Sequence, residues 1–141
     1  MAAPARLLAL LAVPAALVAG CGQTQKNSAS DFQGPQKAVA QTVEDLQSAG
    51  RKRDGNKICE QLLAPALVQQ IQRASKGTCA SVLDDRLRDV DAFEMQVQKV
   101  TISGDRATAV VHSDAGKHDR TDTFGLVRQG ASWKLASLGG R

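Results

Sequence analysis

The sequence contains no tyrosine, and it has only three phenylalanines and one tryptophan among 141 residues. A tyrosine general acid is therefore excluded, and a cage of several aromatic side chains around a ligand has too few residues to form. Glycine-rich phosphate and dinucleotide loops are also absent, as is the Gly-x-Ser-x-Gly elbow of serine hydrolases. These absences argue against nucleotide-dependent enzymes and α/β-hydrolases.

A strong excess of charge of one sign is missing as well. The formal net charge is +4, and the first twenty residues hold one basic residue and no acid. The remaining chain therefore has 17 basic and 14 acidic side chains, a net charge of only +3. So small an excess does not indicate a nucleic-acid partner. Charged residues make up 23% and hydrophobic residues 43%, which is typical of one globular domain.

The longest apolar run, residues 7–19, is too short to cross a membrane as a helix, which needs about 20 apolar residues. It follows Arg6, contains Pro14 and is followed directly by polar sequence. This layout predicts a secretory signal peptide over residues 1–20. The alternative, a buried N-terminal helix of the domain, would be expected to show a polar face, and the run has none.

The end of this run, Leu-Val-Ala-Gly-Cys at residues 17–21, resembles the lipobox of bacterial lipoproteins. The resemblance implies cleavage before Cys21 and a diacylglycerol on its thiol, which would hold the protein at the outer face of the cell membrane. At least two acyl chains are needed for stable anchoring, and this modification supplies them. The alternative is ordinary signal cleavage with a free thiol at Cys21.

Residues 21–33 are rich in Gln, Ser, Asn and Gly and have almost no large apolar side chains. This composition predicts a lipid-anchored flexible tether, although Phe32 is an exception that could touch the domain. The domain itself is predicted over residues 34–139.

The first half of the domain has apolar residues at helical spacing. Val39, Val43 and Leu46 recur at intervals of four and three, between Pro35 and Gly50. Proline is favoured in the first turn of a helix and glycine just after its end, so these residues predict the ends of the first helix.

Two more helical segments are expected after this helix. Asp54 or Asn56 can cap the second segment, which Pro65 breaks or restarts, and Cys79 opens the third.

After residue 91 the apolar spacing changes to two, which is typical of strands. Four strands are predicted, over residues 93–102, 106–113, 120–128 and 132–138. The apolar positions switch parity inside the first strand, which predicts a β-bulge near Gln98 and Lys99. Helices followed by an antiparallel meander place the domain in the α+β class.

This order of elements over residues 35–138 resembles the nuclear-transport-factor-2-like cone fold, also called the cystatin-like cone. The final hairpin, residues 124–135, carries the resemblance, with an apolar strand, a glycine turn and a Trp-Lys-Leu strand. The resemblance implies N-terminal helices packed on a curved antiparallel sheet of about four strands. It also implies relatives such as ketosteroid isomerase and limonene epoxide hydrolase, which place carboxylates or other polar residues inside an apolar pocket.

With Cys21 lipidated, Cys59 and Cys79 remain as an even pair. Outside the cytoplasm such a pair normally oxidises, and a disulfide here would stabilise the fold by about 3 kcal/mol. The alternatives are two free thiols, or a metal site that adds His112 and His118. The cysteine spacing is unlike that of zinc knuckles, so neither a metal ion nor another cofactor is expected.

The candidate catalytic residues are three carboxylates and one imidazole: Asp91, Asp114, Asp122 and His112. Because His112 and Asp114 are two residues apart, they share a strand face, and the carboxylate could orient the imidazole. The opposing interpretation is that these residues are exposed at the end of a hairpin.

Two functions remain open. The first is a non-catalytic module, held at the membrane, that binds a small apolar ligand or another envelope protein. The second is a small isomerase-like or hydrolase-like enzyme that uses a buried carboxylate as its base. The enzyme requires a candidate carboxylate or imidazole inside a closed apolar cavity, so the positions of the four residues discriminate between the two.

Overall fold

A computed structural model describes residues 29–90, 94–114 and 119–139. The predicted signal peptide, Cys21, Asp91 and His118 lie outside the described residues. The helical part comprises a 3-10 turn Ala29–Asp31, α1 Gly34–Arg51, α2 Gly55–Lys57, a π turn Ile58–Leu62, α3 Pro65–Ala74 and α4 Cys79–Leu87. The strands are β1 Glu94–Ser103, β2 Arg106–Asp114, β3 Asp119–Gln129 and β4 Ser132–Ser137. They form one antiparallel sheet in the order β1-β2-β3-β4, which confirms the α+β class.

The helices begin where the sequence predicts. Pro35 lies in the first turn of α1 and Pro65 is the first residue of α3, where a missing N–H leaves no helical hydrogen bond unmade. Asp54 caps α2, because its Oδ1 accepts from the backbone N–H of Lys57 at 2.9 Å. Thr78 caps α4 in the same way.

Helix α1 does not end at Gly50 as predicted, because it continues to Arg51. The chain leaves the helix at Arg53, whose φ of 55° is left-handed. Its N–H donates to the carbonyl of Gly50, and that of Asp54 to the carbonyl of Ala49. These bonds satisfy the last carbonyls of the helix, so the left-handed position is Arg53 rather than the glycine.

The last residues of the predicted tether belong to the folded domain. Ala29 is 2% exposed, and its N–H donates to Oε1 of Glu44 on α1 at 2.5 Å. Phe32 packs against the core. Ala29 and Phe32 therefore pack with the folded domain, because both bury apolar surface against the core.

The sheet buries the face that it turns towards the helices, which we call the inner face. Ala109 of β2 pairs with Phe124 of β3, and both are buried there. The register of β1 against β2 shifts between Val97 and Lys99, which confirms the predicted bulge. A bulge bends its strand, and α1 packs across the sheet that results.

A short contact between the helices and β4 covers one sheet edge. Leu63, directly after the π turn, forms a parallel bridge with Leu135. The backbone N–H of Ala64 donates to the Leu135 carbonyl at 2.7 Å. Part of the β4 edge is thereby paired, which limits its ability to add a strand from another molecule.

Cys59 and Cys79 form a disulfide with their Cα atoms 6.1 Å apart. The bond ties the π turn to the first residue of α4. Since both sulfurs are used, the alternative metal site has no thiolate ligands in this state. Within residues 29–90, 94–114 and 119–139, no group of three or more His, Cys, Asp or Glu side chains is placed to hold a metal ion.

Candidate functional site

A cavity of about 480 Å³ opens between the inner face of the sheet and the helices. Small-molecule sites in proteins commonly have 300–1,000 Å³, so the volume suits a ligand of one or two fused rings. The cavity wall is mainly apolar and is formed by residues of α1, α4, the strands and the segment after β4, including Leu46, Leu83, Leu87, Met95, Phe124 and Leu138.

Helix α4 forms one side of this cavity and packs chiefly on α2, α3 and the π turn. Its apolar residues Leu83 and Leu87 are only partly buried and line the cavity opposite the sheet. Two ties hold the helix in place: the disulfide at Cys79, and a hydrogen bond of 3.1 Å from the Gly55 N–H to Asp84 Oδ1. The helix therefore leaves part of its apolar face available to a ligand.

The other end of the cavity is polar and lies where β2 and β3 meet. Ser113 of β2 pairs directly with Arg120 of β3, and Asp122 follows two residues later. Residues two apart on a strand share a face, so Arg120 and Asp122 project on the same side as buried Phe124. Asp114 completes this end, and all four polar residues line the cavity.

Arg120 and Asp122 form a bidentate ion pair. Nε of Arg120 lies 2.6 Å from Oδ2 of Asp122, and Nη2 donates to Oδ1 at 2.9 Å. The hydrogen bond and the negative charge of Asp122 raise the pKa of the Arg120 guanidinium. The Asp122 side chain is 21% exposed and that of Arg120 is 66% exposed, so the carboxylate belongs to the wall and the guanidinium to the mouth.

The candidate residues predicted from sequence fall into different places. Asp122 and Asp114 line the cavity, whereas His112 is not among its lining residues. The register pairs His112 with Thr121 on the outer face, where Nδ1 lies 3.4 Å from the Thr121 hydroxyl. Nε2 of His112 is 3.9 Å from Oδ1 of Asp119. His112 therefore lies outside the cavity, on the face of β2 opposite to buried Val111, whereas Asp114 at the end of the same strand is among the lining residues.

Sequence reasoning missed Arg120 as a site residue. Its spacing of two from Asp122 on a predicted strand was the available signal, since that spacing puts opposite charges on one face.

A family model described as "Putative lumazine-binding" matches residues 36–138. Among curated proteins, no sequence matches this chain.

Solved structures show the same fold at low identity. A nuclear-transport-factor-2-like protein of unknown function from Silicibacter pomeroyi superposes with a TM-score of 0.52 at 16% identity, over 71% of this chain and 88% of that chain. A second such protein of unknown function, from Shewanella baltica, superposes with a TM-score of 0.50 at 19% identity, over 71% of this chain and 86% of that chain.

A de novo designed protein with this fold gives a TM-score of 0.51 at 9% identity, over 75% of this chain and 87% of that chain. The similarity to a designed protein at this low identity is a similarity of fold alone. These structures confirm the nuclear-transport-factor-2-like fold.

Proposed function

This chain belongs to that lumazine-binding-like family, and from this premise we propose that its domain is a non-catalytic module that binds a small planar ligand between the helices and the sheet. The observation that carries the proposal is the cavity of about 480 Å³, apolar along its walls and polar at one end. Binding sites typically combine an apolar surface, which supplies affinity, with a few polar groups that fix orientation.

The alternative, a pocket enzyme, receives less support from the described residues. A general base in such a fold is a carboxylate isolated in an apolar wall. Both Asp122 oxygens instead accept from Arg120, and Asp114 is exposed at the rim. His112 lies on the outer face, so it cannot relay a proton to a ligand in the cavity.

We also propose that the domain is held at the outer face of the cell membrane by lipid on Cys21. None of the helices in the described ranges has the length and apolar character that a membrane-crossing helix needs. The eight residue steps from Cys21 to Ala29 can span at most about 30 Å, so the folded domain would stay close to the lipid surface.

Replacing Cys21 with alanine is expected to move the protein from the membrane fraction to the soluble fraction, because the thiol that accepts the lipid is lost. Fractionation and the intact mass of the purified protein measure this. The control Gln23→Ala leaves residues 17–21 unchanged and should stay with the membrane. Retention of the Cys21→Ala variant at the membrane would contradict the anchor.

Ligand binding is tested with the oxidised chain from residue 22, titrated with lumazine by calorimetry and screened by native mass spectrometry in an envelope extract. Leu87→Trp fills the cavity and should weaken binding about tenfold or more, since it removes space for the ligand. Arg88→Trp adds the same side chain at the next, exposed position and should bind like the parent. Absence of any retained small molecule in both experiments would overturn the proposal.

A further inference from the structure

We propose that a second groove, on a different side of α1 from the cavity, binds an α-amino acid with an apolar side chain through its ammonium and carboxylate groups. This groove lies between α1, the π turn and the hairpin of β3 and β4, and its volume is about 450 Å³. Asp45 of α1 lines the groove and Leu46 lines the cavity, and the two sites share no lining residue. The inference therefore does not depend on the proposed function.

The wall of the groove next to the π turn carries two positive charges. Lys57 directly precedes the π turn, and Lys134 of β4 donates from Nζ to the carbonyl of Gln61 within it. Lys57 and Gln61 are four residues apart in helical backbone, so they lie on one face, and both lysines line the groove. Both are partly buried, and neither forms an ion pair with any residue that the structure describes. A carboxylate that enters the groove would therefore meet two cations on this wall.

The wall formed by α1 carries a negative charge. Asp45 is partly buried, and it is the only carboxylate among the described residues that line the groove. Gln41, one turn earlier, donates from Nε2 to Oδ1 of Asp45 at 3.3 Å. No described residue donates to Oδ2, so this oxygen can accept from a ligand. An ammonium group suits it, because it brings three N–H donors and the opposite charge.

The separation of these charges favours a zwitterion over a simple ion. The lysines attract an anion such as acetate but Asp45 repels it, and a simple amine meets the reverse combination. An α-amino acid carries both groups, and the flexible lysine stems allow the ammonium groups to follow its carboxylate. Leu62 and Trp133 lie between the walls, so apolar surface is available to an apolar side chain.

The experiment titrates the oxidised chain from residue 22 with L-leucine, N-acetyl-L-leucine and L-leucinamide by calorimetry. Acetylation removes the ammonium group, the amide replaces the carboxylate, and both derivatives keep the leucine side chain. We expect each derivative to bind about tenfold or more weakly than L-leucine, the usual effect of losing a hydrogen bond between charged groups.

Two variants assign the walls. Lys57→Gln should bring the affinity ratio of leucine to leucinamide towards one, and Asp45→Asn should do the same for leucine and N-acetyl-leucine. Lys99→Gln changes an exposed lysine of β1 that does not line the groove, so both ratios should stay as in the parent. Thermal melts by circular dichroism show whether each variant is folded.

The outcomes separate this inference from the proposed function. Leu87→Trp fills the cavity but should leave leucine binding unchanged, and lumazine should not displace leucine. If leucine does not bind, or binds no more tightly than its two derivatives, the inference is overturned and the cavity remains a binding site. Loss of leucine binding in Leu87→Trp would also overturn it, because leucine would then occupy the cavity.

Discussion

Replacing Trp133 with alanine is expected to lower the free energy of unfolding by about 3–5 kcal/mol, the usual cost of deleting a large buried aromatic side chain. Trp133 is 7% exposed and belongs to the buried core where β4 meets α1. The backbone carbonyl of Trp133 lies 3.5 Å from the buried Thr42 hydroxyl of α1, whose shorter contact, 3.1 Å, is with the Ala38 carbonyl of the same helix. The whole chain has only four aromatic residues, so few core side chains are large enough to fill the space that the indole leaves.

Urea unfolding followed by far-ultraviolet circular dichroism measures this loss, because the variant removes the only tryptophan and hence the usual fluorescence signal. Trp133→Phe should lose less, since a phenyl ring fills part of the same volume. Ser132→Ala changes the exposed neighbour and should stay within about 0.5 kcal/mol of the parent. A loss below about 1 kcal/mol in Trp133→Ala would show that the ring contributes little to the core.

The sheet could be predicted from sequence because its signals are local. The switch of apolar parity around Gln98 predicts a bulge, and the register shift between Val97 and Lys99 confirms it. The final hairpin follows from its glycine turn and the alternation around Trp133, and β3 and β4 pair as predicted, with Gly130 at a positive φ of 60°. Each of these features depends on residues a few positions apart.

Features that depend on contacts between residues far apart in sequence could not be predicted from the sequence. The bridge between Leu63 and Leu135 joins two parts of the chain that no short pattern relates. Sequence predicts a helical segment after Asp54 but not its geometry, and residues 58–62 form a π turn, from which Cys59 reaches Cys79. Tertiary packing decides such local geometry, so helix propensity could not predict the π turn.

The candidate site shows the same division. Asp122 was a candidate from sequence, and the structure places it in the cavity wall. The sequence could not show which face of β2 would be buried. His112 was a candidate because imidazoles serve as bases, and the register placed it outside. Arg120 became part of the site only when the sheet showed that it shares the inner face with Phe124.

Removal of the disulfide, by changing both Cys59 and Cys79 to serine, is expected to lower the free energy of unfolding by about 3 kcal/mol. The two cysteines are 20 residues apart, and closing a loop of this length restricts the unfolded chain substantially. The bond also constrains the native state, because it fixes the start of α4 to the π turn. The apolar face of α4 lines the cavity, so the position of this helix affects the cavity wall. Ligand binding should therefore weaken along with stability.

A reducing agent provides the matched comparison for this prediction. It should lower the stability of the parent by the same amount and leave the double serine variant unchanged, because that variant has no disulfide to break. Thiol counting on the denatured, unreduced chain from residue 22 should find no reactive thiol, and two thiols would contradict the bond. If stability falls while lumazine affinity stays constant, α4 keeps its position through Asp84 and its packing on α2 and α3, and the disulfide stabilises the fold without shaping the cavity.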